Sequence, residues 1–439
     1  MSSSWQHRFT QLLNLEWLVY LALLPVVMFV TPARAPILLV LLLFWPLRKW
    51  ITGHWSLPTP LDWPLRLLAF MVVISLFISF DFAFSFPRVV AVLYGLALIY
   101  VVAWTSSRSR PRMWLMIQLF LLMGVGVAGL SLFGTSWNSK IPGLSILINR
   151  LPHLISLPGS ADGFQANQVA GVLLWVAPLA MALSYTAIIG QGLISGDFLR
   201  RHMVRLLLLA VAGLMGLVLL LTQSRGGLMG VGLALVLLVM LACHRRRWLM
   251  GLVPVVVALL VLVVVQGLGM ERTQDWLFSF RSEGAESSLE SLSIRQEIWV
   301  RGWFAVQDFP LTGMGMNTFR RVVPVLYPFF ALSGVEDISH AHNQLLQTAL
   351  DVGIPGLIAY VGVWLGAVMM LWRSWRLSGD AWERTWVAGF AAALLGFFIY
   401  GLADAVAFGA KPGFLFWYLL GLIAGLHELV VNRQGFARD

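Results

Sequence analysis

Long runs without a single charge constrain this chain more than any other feature. Leu206 to Leu221 and Leu249 to Val265 carry no Asp, Glu, Lys or Arg, and with their neighbours each reaches the roughly 20 residues that a helix needs to cross a bilayer core. The chain is 59% hydrophobic and 11% charged, whereas a soluble domain is about half apolar and a quarter charged. The solvent for most of this chain is therefore lipid, and the expected fold is an all-α integral membrane protein.

Apolar runs predict about twelve transmembrane helices, at approximately 15–31, 35–47, 63–80, 88–104, 113–133, 167–189, 204–221, 226–243, 248–268, 343–371, 386–408 and 412–430. The second is short and could form a tight hairpin with the first. The start of the chain leads into the first run without a small-residue cleavage pattern, so that run reads as an uncleaved helix. Lys and Arg fall between the runs rather than in one tract, which does not suit a nucleic-acid surface. With a cytoplasmic N-terminus, eighteen of the 30 Lys+Arg lie in inside segments, six in short outside loops and six in one long loop. By the positive-inside rule, both termini are expected in the cytoplasm. Cys243 is the one cysteine, so stability must come from helix packing rather than an intrachain disulfide.

This reading divides the chain into spans one to nine over 1–268, with a smaller outer loop at 134–166; a large helical outer loop over 269–342, facing away from the cytoplasm; and spans ten to twelve over 343–430. The large loop is too long and too charged for a simple connection.

Four places hold residues with chemistry to offer. In Leu221-Thr222-Gln223-Ser224-Arg225-Gly226-Gly227, Arg225 sits between two uncharged spans. It is either a snorkelling helix-end arginine or a phosphate ligand, helped by Ser224 and by glycine N–H groups at the start of the next helix. In the long loop, Arg295, Trp299 and Trp303 make one stripe at helical spacing. The stripe fits an interfacial helix in which Arg295 pairs with Glu297 or a neighbouring acid on a solvated face and the tryptophans are anchors. It equally supplies a second cation for a diphosphate, with Arg301 as possible support. At the end of the loop, His340 and His342 precede Asn343 in Ser339-His340-Ala341-His342-Asn343. An imidazole there suits general-base work, because its pKa is near neutrality. A capping role is the plainer alternative, and zinc a weaker one, since His-x-His supplies two ligands and only Glu336 and Asp337 lie nearby. Asn167 and Gln168 could bind a sugar or cap their helix. Asp404 pairs with Lys411 or lines a cavity, and Asp81 pairs with Arg88 or faces water. No nucleotide-phosphate loop, serine elbow or zinc helix is present.

These motifs, with Pro310 to Phe319 and the register His342, Asn343, Gly353, Gly356, resemble the O-antigen ligase and O-antigen polymerase superfamily over about residues 165 to 370. The resemblance implies a GT-C-like fold and a metal-independent, cofactor-free glycosyltransferase on the periplasmic face. Its donor would be an undecaprenyl-diphosphate-linked glycan, and its acceptor a sugar hydroxyl on lipid A core or on a second lipid-linked repeat. Arg225 and Arg295 would then grip the diphosphate, and His342 would orient or deprotonate the acceptor. The alternative from another class is a polytopic transporter or flippase of a lipid-linked or small anionic substrate.

Overall fold

The computed structural model describes residues 10, 12–137, 142–151, 154–155, 163–189, 198–243, 287–329, 338–406 and 408–435. Apart from an isolated bridge between Thr135 and Phe164, the regular elements among them are helical. They are α1 (Glu16–Met28), a 3-10 helix (Ala35–Leu43) running into α2 (Phe44–Thr52), α3 (Asp62–Ile78), α4 (Phe82–Ser107), α5 (Arg110–Gly134), α6 (Pro142–Ile148), α7 (Ala166–Leu173) and α8 (Ala177–Ile188). After these come α9 (Phe198–Thr222), α10 (Arg225–Ala242), α11 (Ser287–Asp308), α12 (Phe319–Leu326), α13 (Gln344–Leu377), α14 (Ala381–Gly401) and α15 (Phe414–Gly435).

Among the described residues, eight helical segments are long and apolar enough to cross a membrane: Ala35–Thr52, Phe82–Ser107, Arg110–Gly134, Leu199–Thr222, Arg225–Ala242, Gln344–Leu377, Ala381–Gly401 and Lys411–Arg433. A ninth results if α7 and α8, bent by 47°, count as one span. The chain is thus a multi-pass helical membrane protein. The expected span at 248–268 lies outside the described residues, as do Glu336 and Asp337.

Three departures from the sequence reading have local causes. α4 begins six residues before the expected 88 because Asp81 is its N-cap, its Oδ1 accepting from the N–H groups of Ala83 and Phe84 at 2.9 and 3.2 Å. Asp81 therefore does not turn to Arg88. The expected span 167–189 breaks between α7 and α8 just ahead of Pro178, which has no N–H to continue the ladder. The expected span 386–408 stops at Gly401, which leaves Asp404 outside the helix.

Helices α4 and α15 pack face to face through the main apolar core, and a buried ion pair between Glu16 and Arg48 ties α1 to α2. Helix α10 lies close on α14 because glycines meet at the crossing: a Cβ on Gly230 would stand 2.4 Å from the Gly396 carbonyl oxygen. That approach sets the Arg225 turn beside Tyr400. A second apolar cluster unites Ile298, Ala305 and Val306 of α11, Met314, Phe319 and Val323 beyond it, Ile338 and Ala341, and Ala349 and Leu350 of α13. It fixes α11 over the first turns of α13.

Candidate functional site

The site forms where the α9–α10 turn, α11, the segment before α13 and the segment after α14 converge. Its centre is Asp404, a 3% exposed carboxylate in the non-helical stretch that follows α14. His340 Nε2 stands 2.9 Å, and His342 Nδ1 3.2 Å, from the same oxygen, Oδ1. A carboxylate only accepts, so each imidazole donates its N–H to Asp404. The second nitrogen of His340 lies 2.8 Å from the Ser339 hydroxyl. Arg295 approaches the other carboxylate oxygen, Oδ2, at 3.9 Å. Burial pushes the Asp404 carboxyl up, but the hydrogen bonds and charges of the two histidines outweigh it and hold the group well below the usual carboxylate range.

The two arginines named from sequence are brought together. Arg225, the first residue of α10, and Arg295 of α11 are close enough for their charges to repel. Tyr400 is close by: it feels both Asp404 and Arg295, its ring lies against Gly226, and its hydroxyl donates to the Asn167 carbonyl at 2.9 Å.

The His-Asn motif has a structural meaning at each position. His342 adopts φ +46°, a left-handed conformation rare outside glycine that turns its ring back toward Asp404. Asn343 is the N-cap of α13: its Oδ1 accepts from the Leu346 N–H at 3.0 Å, while its amide donates to the Leu402 carbonyl at 3.1 Å. The Ala341 peptide between the histidines is clamped from both sides. Its N–H donates to Gln347 Oε1 at 2.8 Å and its carbonyl accepts from Trp299 Nε1 at 3.0 Å. Ten residues past Asn343, Gly353 breaks α13 with φ 72° and ψ 178°, backbone angles essentially confined to glycine. The Ile354 N–H, whose helical partner would be Leu350 O, donates instead to Pro310 O at 2.7 Å. Leu350 O accepts from Met314 N–H, also at 2.7 Å. This exchange grafts the Pro310–Phe319 motif onto α13, so residues 344–352 form a short helix of their own.

Other expectations are corrected. The acid that Arg295 meets is Asp404, while Glu297 lies 3.7 Å from Arg301, one turn away on α11. Trp299 is a hydrogen-bond donor to the histidine segment rather than an interface anchor, while Trp303 is 56% exposed. Ser224 caps α10 by accepting from the Gly227 N–H at 3.3 Å, which takes that donor away from any phosphate. Asn167 and Gln168 lie inside α7 and do not cap it; Gln165 is its N-cap position. Asp404 faces the histidines, and Lys411 Nζ lies 4.5 Å over the Phe29 ring. His340, His342 and Asp404 also present three ligand atoms within 4.8 Å of one another, a set that could hold a metal ion and that adjacency in sequence did not reveal.

Residues 210–361 match the family model described as O-antigen ligase, a stretch that contains Arg225, Arg295, His340 and His342. A search of curated proteins returned no match.

Proposed function

Through its domain at residues 210–361 the chain belongs to the O-antigen ligase and polymerase superfamily, and from that premise we propose that it moves a glycan from undecaprenyl diphosphate to a sugar hydroxyl on the periplasmic face of the inner membrane. A glycosyltransferase-like role in glycan assembly comes with the family. The donor, the face, cytoplasmic termini and a twelve-span GT-C-like arrangement with a loop domain over 269–342 are our reading. The observation that carries it is the pairing of His342 with Asp404 beside the Arg225–Arg295 pair.

Each group then has one task. The donor diphosphate lies against Arg225 and Arg295, whose planar forks bind its oxygens bidentately. The acceptor hydroxyl approaches His342 Nε2 and gives up its proton there as its oxygen attacks the anomeric carbon. The bond from that carbon to the phosphate oxygen breaks, and the diphosphate leaves with the electron pair, its charge met by the two guanidinium groups. Asp404 holds the His342 tautomer and stabilises the imidazolium that forms, as a buried carboxylate does beside a catalytic histidine.

Purified chain carrying His342→Ala is expected to insert normally and transfer no glycan, and Arg225→Lys and Arg295→Lys are each expected to lose donor affinity, because a point charge does not replace the fork. Full transfer by the alanine variant would remove the base, and wild-type affinity in both lysine variants would remove the clamp. A second reading has one observation in its favour, the three ligand atoms of His340, His342 and Asp404. Activity lost to EDTA and restored by a divalent ion would install a metal there in place of the base; activity indifferent to EDTA is what we expect.

A further inference from the structure

His342 and Asp404 are 62 positions apart in sequence, and amide side chains at the start of α13 bind the segments that carry them. The Asn343 amide donates to the Leu402 carbonyl at 3.1 Å. Gln344 Oε1 accepts from the Val406 N–H at 3.0 Å, and Gln347 Oε1 accepts from the Ala341 N–H at 2.8 Å. Leu402 and Val406 bracket Asp404, and Ala341 lies between the two histidines. Both glutamines are buried, so these bonds form away from competing water. The end of α14 is seated on the same turn, since a Cβ on Gly401 would stand 3.1 Å from Gln344 Cβ. Gln347 is itself oriented from behind: its Nε2 donates to Oδ1 of the buried Asp351 at 3.0 Å. A flipped amide would set its NH₂ against the Ala341 N–H and its oxygen against Asp351, so both neighbours select one orientation.

We infer that Gln344 and Gln347 are positioning residues for the transfer reaction: from one turn of α13 they hold the Asp404 segment and the histidine segment in register, so that His342 Nδ1 meets the carboxylate. The inference rests on the glycan-transfer reading above, in which His342 is the base and Asp404 its orienting partner. The backbone of His342 shows why such a hold is needed. Its φ of +46° is a conformation that persists only where the surroundings over-determine it. The Gln347 bond to Ala341 fixes the chain just before His342, and the Asn343 cap fixes it just after. Without Gln347, the buried Ala341 N–H loses its acceptor, and His342 is free to relax toward ordinary backbone angles that swing its ring off Asp404. Without Gln344, the Asp404 segment loses the corresponding bond at Val406 and the carboxylate drifts from the histidines. Either displacement acts on the reaction through the His342–Asp404 pair, and a shift of about 1 Å at a reacting group costs about a hundredfold in rate.

Gln347→Met and Gln344→Met keep a side chain of similar length and remove the acceptor. In single-turnover transfer by the full-length chain in proteoliposomes, each is expected to lower kcat about 10- to 100-fold with the donor KM unchanged. The deciding readout is a double-mutant cycle with Asp404→Asn, because a residue that acts through the His342–Asp404 pair has little left to lose once that pair is broken. Gln347→Met is therefore expected to cost about threefold or less in the Asp404→Asn background, against about tenfold or more in the wild type. Gln344→Met enters the same cycle from the other segment, so the outcome does not hang on one variant folding well. Equal fold-losses in the two backgrounds, the result of a merely structural role, would overturn the inference, as would wild-type kcat in both methionine variants. His342→Ala, run alongside, separates the two levels of the account. Full transfer by it would sink the functional reading together with this inference, whereas an inactive His342→Ala beside equal fold-losses would sink the inference alone.

Discussion

Replacing Asp404 by Asn tests the organisation of the site more sharply than any change to the histidines, because it preserves shape and removes only the charge and one acceptor. In the wild type, a carboxylate oxygen stands 3.2 Å from His342 Nδ1. When the histidine takes the acceptor proton, the resulting charge pair is worth about 5 kcal/mol at an effective dielectric of 20. Part of that attraction is already spent, since the same carboxylate meets His340 at 2.9 Å and Arg295 at 3.9 Å in the resting site. Taking about half as the differential gives about 2–3 kcal/mol, or about a hundredfold in kcat. A wrong tautomer deepens the loss: if the Asn amide offers its N–H₂ to Nδ1, the lone pair moves to the wrong side of the ring, and in a Ser-His-Asp triad the matching change costs about 10⁴. The assay is single-turnover glycan transfer in proteoliposomes, with donor affinity measured in parallel. We expect kcat to fall between about 10²- and 10⁴-fold while the donor KM changes little. A kcat within threefold of wild type would refute the idea that Asp404 orients the base.

Three further changes probe the frame around that centre. Gly353→Ala forces an alanine into φ 72°, ψ 178° with its Cβ 2.6 Å from Leu311 O; a stability loss of about 3 kcal/mol or more is expected in thermal unfolding. Trp299→Phe leaves the Ala341 carbonyl without its 3.0 Å donor, and should lower kcat about tenfold with little effect on Tm or donor KM. Gly230→Val sets branched carbons against the Gly396 carbonyl, 2.4 Å from a Cβ at that position. It is expected to lower Tm and activity together, whereas the exposed-face Gly232→Val, which meets nothing within 4 Å, should leave both near wild type.

The residues that sequence alone could find are those whose cost advertises them. Arg225 between two uncharged spans, Arg295 on a helical stripe and His342 at the edge of an apolar run all stand out, because a charge or a titratable ring at a membrane boundary needs a reason. Asp404 is equally costly but was absorbed into an expected span at 386–408, since hydropathy does not register that the helix stops at Gly401. Its partners lie more than sixty residues away, and no local pattern states where a lone carboxylate points. The same limit hid the role of Trp299, which read as a stripe member until the Ala341 peptide is placed between it and Gln347. Gly353 and Gly356 were visible as a register, but the exchange of hydrogen bonds between Pro310–Met314 and Leu350–Ile354 is a tertiary event. In the spans, the break between α7 and α8 was foreshadowed by Pro178, and the early start of α4 by Asp81; apolar runs weighed more heavily than caps in drawing those boundaries.

The most direct test of the account is reconstitution of the purified chain in vesicles with an undecaprenyl-diphosphate glycan and, in separate reactions, lipid A core or a second lipid-linked repeat. The account predicts a covalent glycan–acceptor product with release of undecaprenyl diphosphate, abolished by His342→Ala: a single addition to the core for a ligase, or a ladder without it for a polymerase. Movement of the lipid-linked substrate across the vesicle with no covalent product in either reaction would contradict it.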